Sequence, residues 1–274
     1  MHKPAIGTLQ VPGATLRYER RGSGPVLLLI PGGAGDAGLY EGMAADLAAH
    51  YTVVSYDPRG LSRSPLHGPL TDQRVEVWSD DAYRLLERVS PGQPASVLGC
   101  SSGAIVALDL LARHPERIRR LVAHEPPLLE VLEDPEPHRA FFTEVRETFR
   151  AQGVGAAMAR FSEGLGGRPA EQATELPPEI QEMASRMHTN LPVFLGHMLC
   201  PFSGTAPDLP ALRRAATALV LAAGRESRGQ LPLYGPAERL AELLGSELVE
   251  FPGGHVGCTE HPEEFAELLL KVLG

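Results

Sequence analysis

The pentad Gly99-Cys100-Ser101-Ser102-Gly103 leaves the backbone around it few options. It fits G-x-S-x-G, follows an apolar run at 95–98 and precedes a helical pattern at 104–113. A serine so placed sits on a strained turn between a strand and a helix. The residues two before and two after it must be tiny, so that strand and helix can approach each other. Only Ser101 has glycine at both offsets; Ser102 has Cys100 and Ala104 there. The helix beyond aims its first amides at developing negative charge. Ser101 is therefore the candidate nucleophile. The bland alternative is a Gly/Ser turn with no chemistry.

The rest of the chain supplies the sheet that such a turn needs. Strand patterns fall at 15–20, 26–30, 51–56, 95–99, 120–124, 217–223 and 247–250, with a hairpin-like segment at the start. The run at 26–30 is continuously apolar, as in a strand buried on both faces. Helical patterns at 39–49, 75–89, 104–113, 236–244 and 262–273 alternate with them. Alternation of this kind implies a mostly parallel central sheet flanked by helices. It breaks at Pro126. From there to about Pro210 only helical patterns appear, at 139–152, 154–164 and 179–199, divided by Gly- and Pro-rich joints at 164–169, 176–178 and 201–210. The expected organisation is a core over 1–125 and 211–274, with a helical cap over 126–210.

Composition excludes several classes. The 274 residues carry 25 Lys+Arg against 34 Asp+Glu, a net charge of −9. Nucleic-acid binding calls for clustered cations, so no nucleic-acid partner is expected. No apolar run approaches the ~20 residues of a membrane span, and the N-terminus lacks the apolar stretch of a secretory signal. Three cysteines, Cys100, Cys200 and Cys258, do not make a disulfide framework, so a reducing cytoplasm is the expected location. No H-E-x-x-H occurs, and His124, His188 and His197 lack metal-ligand spacing. Neither a metal nor a cofactor is expected.

The base should lie in a loop at the carboxyl end of a late strand. Of ten histidines, His255 in Phe251-Pro252-Gly253-Gly254-His255 meets that condition. The oxyanion hole should combine the amide after the nucleophile with one from the loop after an early strand. Those are Ser102 and Gly33 in Pro31-Gly32-Gly33-Ala34-Gly35, with Gly32 and Ala34 as alternatives. The same loop supports a rival. Gly33-Ala34-Gly35-Asp36-Ala37-Gly38 matches G-x-G-x-x-G, and Asp57 ends the next strand, as in a dinucleotide fingerprint. That rival leaves the serine pentad unexplained.

The acid should lie between serine and histidine in chain order. Glu125 ends the strand at 120–124, and Glu226 follows the strand at 217–223. Both are strand-end carboxylates, and the residues alone leave the choice open. The chain as a whole resembles an α/β-hydrolase with a cap. Several motifs resemble the zearalenone lactonases: Gly99-Cys100-Ser101-Ser102-Gly103-Ala104, His124-Glu125 followed closely by proline, Leu61-Ser62-Arg63-Ser64, Asn190-Leu191-Pro192-Val193-Phe194, and Gly254-His255 followed by His261-Pro262. They run in one order from the early strands to the last helix. The resemblance implies an α/β-hydrolase fold and a Ser101–His255–Glu125 triad, with Glu226 as the alternative acid. It departs at two places. Phe194 stands where that family has a tryptophan, and Pro31-Gly32-Gly33 lacks that family's acidic residue.

The expected reaction is acyl transfer from a carboxylic ester or lactone through an acyl-enzyme. The expected partner is a small apolar molecule of that kind, with a homodimer as the admissible self-association. Substrate contacts are expected from Gly32, Leu128, Leu132, Met158, Phe194, Met198 and Val256; most other apolar cap residues would pack helix on helix. Two further readings use the same residues: a cofactor-free perhydrolase, and a small-molecule receptor that does not turn over.

Overall fold

The computed structural model describes residues 3–165 and 178–274. Eight strands form one sheet: β1 Ala5–Val11, β2 Ala14–Arg21, β3 Val26–Ile30, β4 Thr52–Asp57, β5 Ala95–Cys100, β6 Ile118–His124, β7 Leu219–Gly224 and β8 Leu248–Phe251. Their order is β1-β2-β4-β3-β5-β6-β7-β8. The β1/β2 and β2/β4 pairs are antiparallel, and all pairs from β4 to β8 are parallel.

Along the parallel strands alternate side chains enter opposite cores, as a two-residue period requires. In β3, Val26, Leu28 and Ile30 pack on one face while Leu27 and Leu29 pack on the other. The first face is covered by α2 Val75–Val89, α3 Ser102–Arg113 and α9 Tyr234–Leu244; the second by α1 Glu41–Ala48 and α11 Pro262–Leu273. A doubly covered sheet explains the unbroken apolar runs in the sequence.

Between β6 and β7 lie α4 Glu136–Gln152, α5 Val154–Gly164, α6 Pro178–Val193, α7 Leu199–Ser203 and α8 Leu209–Arg214. Leu129, Phe142, Val145, Ala157, Leu195 and Leu199 give these helices an apolar cluster of their own. The helix expected at 179–199 is not continuous. It ends at Val193 and passes through a π-helical turn, Phe194–Met198, before α7. Pro192 lacks the N–H that would close the preceding turn, and the widened turn starts two residues later. The joint expected at 164–169 lies mostly outside the described residues, as does that at 176–178. The short α10 Gly257–Glu260, absent from the sequence reading, turns the chain from β8 into α11.

The strand order reverses between β3 and β5. The chain runs outward from β3 to β4 and then crosses back to β5. Crevices at the carboxyl ends of strands, where the order reverses, are where open α/β sheets bind ligands. The Gly32–Gly33 loop and Ser101 both emerge there.

Candidate active site

Ser101 stands on the turn between β5 and α3 with φ 55° and ψ −126°, a strained conformation for a side-chain-bearing residue. The flanking glycines permit it. A Cβ on Gly99 would collide with the Gly103 carbonyl, and one on Gly103 with the Ile30 carbonyl. Ser101 N–H donates to His124 O at 2.8 Å, which ties the turn to β6.

His255 Nε2 lies 2.9 Å from Ser101 Oγ, and its Nδ1 lies 2.6 Å from Glu125 Oε2. With Nδ1–H donating to the carboxylate, Nε2 is left to accept the serine proton. The other oxygen, Glu125 Oε1, accepts from Gly224 N–H at the end of β7 at 2.8 Å. Both carboxylate oxygens are thus held, and Glu125 is fully buried. Its φ of 46° is a second strained value in the same site. Burial pushes the Glu125 carboxyl up. The His255 hydrogen bond and charge, helped by the Gly224 amide, outweigh that and hold it below the usual carboxylate range.

Glu226, the alternative acid, is exposed, in the short 3-10 turn after β7. Its backbone N–H donates to Gly253 O, and His255 takes Glu125 instead. The dinucleotide reading fails at Asp57. That carboxylate is fully buried, and its oxygens accept from Ala37 N–H and Arg63, leaving none for a ribose.

The expected oxyanion residues come together with one difference. The Ser102 amide opens α3, where a helix has no acceptor of its own for its first N–H groups. The Gly33 amide, expected to face the cavity free, instead donates to Ser102 Oγ at 2.8 Å. Gly32 lies against Ser101, whose Cβ is 2.7 Å from where a Cβ on Gly32 would stand.

A cavity of about 210 Å3 opens over Ser101 and His255. Of the expected substrate contacts, Gly32, Met158, Phe194, Met198 and Val256 line it, together with Gly33, Leu39, Phe142, Phe161, Met187, Leu191, Leu199, Phe202 and Leu233. Val256 is 47% exposed and stands at the rim. No Asp, Glu, Lys or Arg among the described residues lines it. Leu128 and Leu132 do not line it. Leu128 packs into the core on the α3 side, and Leu132 lies beside Gly235 of α9 and the cap's own apolar cluster. Periodicity marks both as apolar-facing but does not say which apolar surface they meet.

Two features escaped the sequence reading. Asn190 of α6 is buried; its Nδ2 donates to Ala34 O and Ser62 Oγ, and its Oδ1 accepts from Ser62 N–H. Ser62 Oγ donates to Asp36, which also takes Arg186 of α6 at 2.5 Å. Burial pushes the Asp36 carboxyl up, and the bonds from Arg186, Gly38 and Ser62 more than offset it, so the carboxyl titrates below its ordinary value. Ser62 and Asn190 lie in two of the motifs that carry the lactonase resemblance; that they meet is visible only in three dimensions. The second feature is His124. It is buried against Phe251 and Phe265, its ring nitrogens have no partner among the described residues, and burial pushes its pKa down to about 4.

The family model for the alpha/beta hydrolase fold matches residues 25–164. An uncharacterized hydrolase of Bacillus subtilis, YraK, is 39% identical over 97% of this chain and 95% of its own length. A zearalenone hydrolase of Bionectria ochroleuca is 29% identical over 96% of both chains. Among solved structures, a thermophilic esterase from Thermogutta terrifontis superposes with a TM-score of 0.75 at 20% identity, covering 100% of both chains. With this sheet, this strand order and these relatives, the chain belongs to the α/β-hydrolase fold family.

Proposed function

We propose that this hydrolase cleaves carboxylic esters or lactones through Ser101, His255 and Glu125. The observation that carries the reading is the unbroken chain from Ser101 Oγ through the His255 ring to Glu125, at the floor of an apolar cavity. His255 Nε2 takes the Ser101 proton as Oγ attacks the ester carbonyl. The buried Glu125 carboxylate fixes the imidazole tautomer and stabilises the imidazolium. His255 then gives the proton to the leaving alkoxide. In a lactone that alkoxide stays tethered to the acyl group. Water, with His255 again as base, releases the acid and frees Ser101.

The lining favours a neutral, apolar acyl group. With no Asp, Glu, Lys or Arg among the described residues that line the cavity, a charged substrate group placed there would be desolvated without a partner. The similarity to a zearalenone hydrolase supports a lactone as one substrate.

The test is turnover by wild type and Ser101→Ala of zearalenone and a series of p-nitrophenyl esters, followed by chromatography and mass. Multiple turnovers by wild type, with kcat lower in Ser101→Ala by on the order of 10⁴–10⁶, are expected. Turnover by Ser101→Ala at the wild-type rate overturns the reading. A single stoichiometric reaction by wild type overturns it in favour of a receptor.

A further inference from the structure

Ser102 has a hydroxyl as well as an amide, and the hydroxyl is not idle. Its Oγ accepts the Gly33 N–H at 2.8 Å. A hydroxyl has one proton and two lone pairs. Gly33 engages a lone pair, and no protein group among the described residues accepts the proton. Ser102 is 5% exposed, opens α3 directly after the nucleophile, and lines the cavity beside Ser101 and His255. The Gly33 loop is held in place by a turn in which Gly35 N–H donates to Gly32 O at 2.9 Å.

We propose that the Ser102 side chain is a catalytic oxyanion donor, and that Gly33 acts on the oxyanion through it. This rests on the serine-hydrolase reading above. When Ser101 attacks, the carbonyl oxygen gains negative charge. The Ser102 N–H and O–H both donate to it, from one residue at the positive end of α3. The proton stays on Ser102 Oγ throughout; no bond to that oxygen forms or breaks.

Accepting the Gly33 N–H polarises the hydroxyl and makes it a stronger donor. Hydrogen bonds to an ionised oxygen are shorter and roughly twice as strong as neutral ones. The bond therefore strengthens as charge develops, so it lowers the barrier more than it tightens substrate binding. The opposing account makes the Ser102 hydroxyl a plug. It would occupy the Gly33 amide until substrate displaces it, and the enzyme would be faster without it. The two accounts predict opposite signs for one substitution.

Ser102→Ala keeps the amide and the helix start and removes only the hydroxyl. The expected result is a kcat lower by roughly 10- to 100-fold with KM nearly unchanged. Affinity for an alkylboronic acid, which forms a tetrahedral anion on Ser101, should fall by a similar factor. Affinity for an unreactive apolar ether of the same size should not change, and a merely structural role would move both affinities. Ser102→Thr restores the hydroxyl and should recover most of the rate. Ser102→Cys keeps the volume with a weaker donor and should fall between, which decides the matter even if the alanine variant folds poorly. A Ser102→Ala or Ser102→Cys enzyme as fast as wild type, with undiminished boronate affinity, overturns the proposal. Ser101→Ala is measured alongside. If it retains wild-type turnover, the serine-hydrolase reading itself falls; if it is inactive while Ser102→Ala is unimpaired, only the hydroxyl donor falls.

Discussion

Glu125 Oε2 stands 2.6 Å from His255 Nδ1 although the two residues are 130 positions apart. Glu125 has a positive φ, and Gly224 N–H holds one of its carboxylate oxygens and His255 the other. Glu125→Gln preserves the shape but replaces the anion that fixes the imidazole tautomer. Its kcat should fall by about 10³–10⁴. Glu226→Ala, at an exposed position, should retain wild-type kcat. Steady-state kinetics on one p-nitrophenyl ester checks both, and the reverse pattern would reassign the acid.

His124 gives stability its own pH signature. Burial lowers its pKa from 6.5 to about 4, with the neighbouring Glu125 pulling it up and His255 pushing it down. Between those values the unfolded chain binds a proton that the folded chain refuses. Folding therefore weakens as pH falls from 6.5 to 4, by roughly 3 kcal/mol for this group. His124→Leu lacks the group. Its stability relative to wild type, from urea unfolding at pH 7, 5.5 and 4, should improve steadily as pH drops. A difference independent of pH would show that His124 titrates normally.

Ser101 and His255 stand out in the sequence as candidates because their signals are local. Glycine at both offsets marks the strained turn, and a glycine-rich loop after the last strand marks the histidine. Glu125 and Glu226 both end strands, and what separates them is that His255 meets the buried Glu125 while Glu226 is exposed, a pairing across 130 positions that sequence does not carry. The Gly33 amide was expected free because its partner is a side chain 69 positions away. Leu128 and Leu132 were misplaced for a different reason. An apolar stripe says that a surface is covered, and several surfaces compete to cover it. The π turn was hidden because helical periodicity survives one widened turn, so Phe194 and Met198 look like ordinary helix positions.

The Asn190 amide joins α6 to two loops at the sheet edge, including the one that carries Gly33. Asn190→Leu would leave Ser62 N–H and Ala34 O without this partner in a buried setting. A loss of about 2–4 kcal/mol in folding stability is expected. Activity should fall further than stability explains, because Ala34 is the neighbour of Gly33. Arg186→Met should also destabilise, since it takes its principal cationic partner from the fully buried Asp36. Calorimetry with kinetics at a temperature where all variants are folded separates the two effects. An Asn190→Leu enzyme with wild-type kcat would limit the network to stability.

Phe194 is one of the residues that line the cavity. It projects from the π turn, meets Phe161 edge-on at 6.1 Å and lines the space over Ser101. That turn is anchored from outside, where His197 O accepts Gln73 N–H and His197 Nδ1 meets Asp72. The turn that carries the ring is thus held by contacts within the fold. Burying an aromatic ring against a ligand is worth about 1.5–3 kcal/mol, of which a bulky apolar substrate recovers much and an acetyl ester little. Phe194→Ala should lower kcat/KM for long-chain or aromatic esters by about tenfold or more while leaving p-nitrophenyl acetate nearly unchanged. Phe194→Trp installs the tryptophan that the resemblance to the zearalenone lactonases implies at this position. It should raise the preference for a large lactone over acetate if the indole stacks on the substrate, and lower it if the indole merely fills the cavity. Direct competition between zearalenone and p-nitrophenyl acetate reads that ratio without separate estimates of enzyme concentration. An unchanged ratio in both variants would remove Phe194 from the substrate contacts and leave it as packing against Phe161.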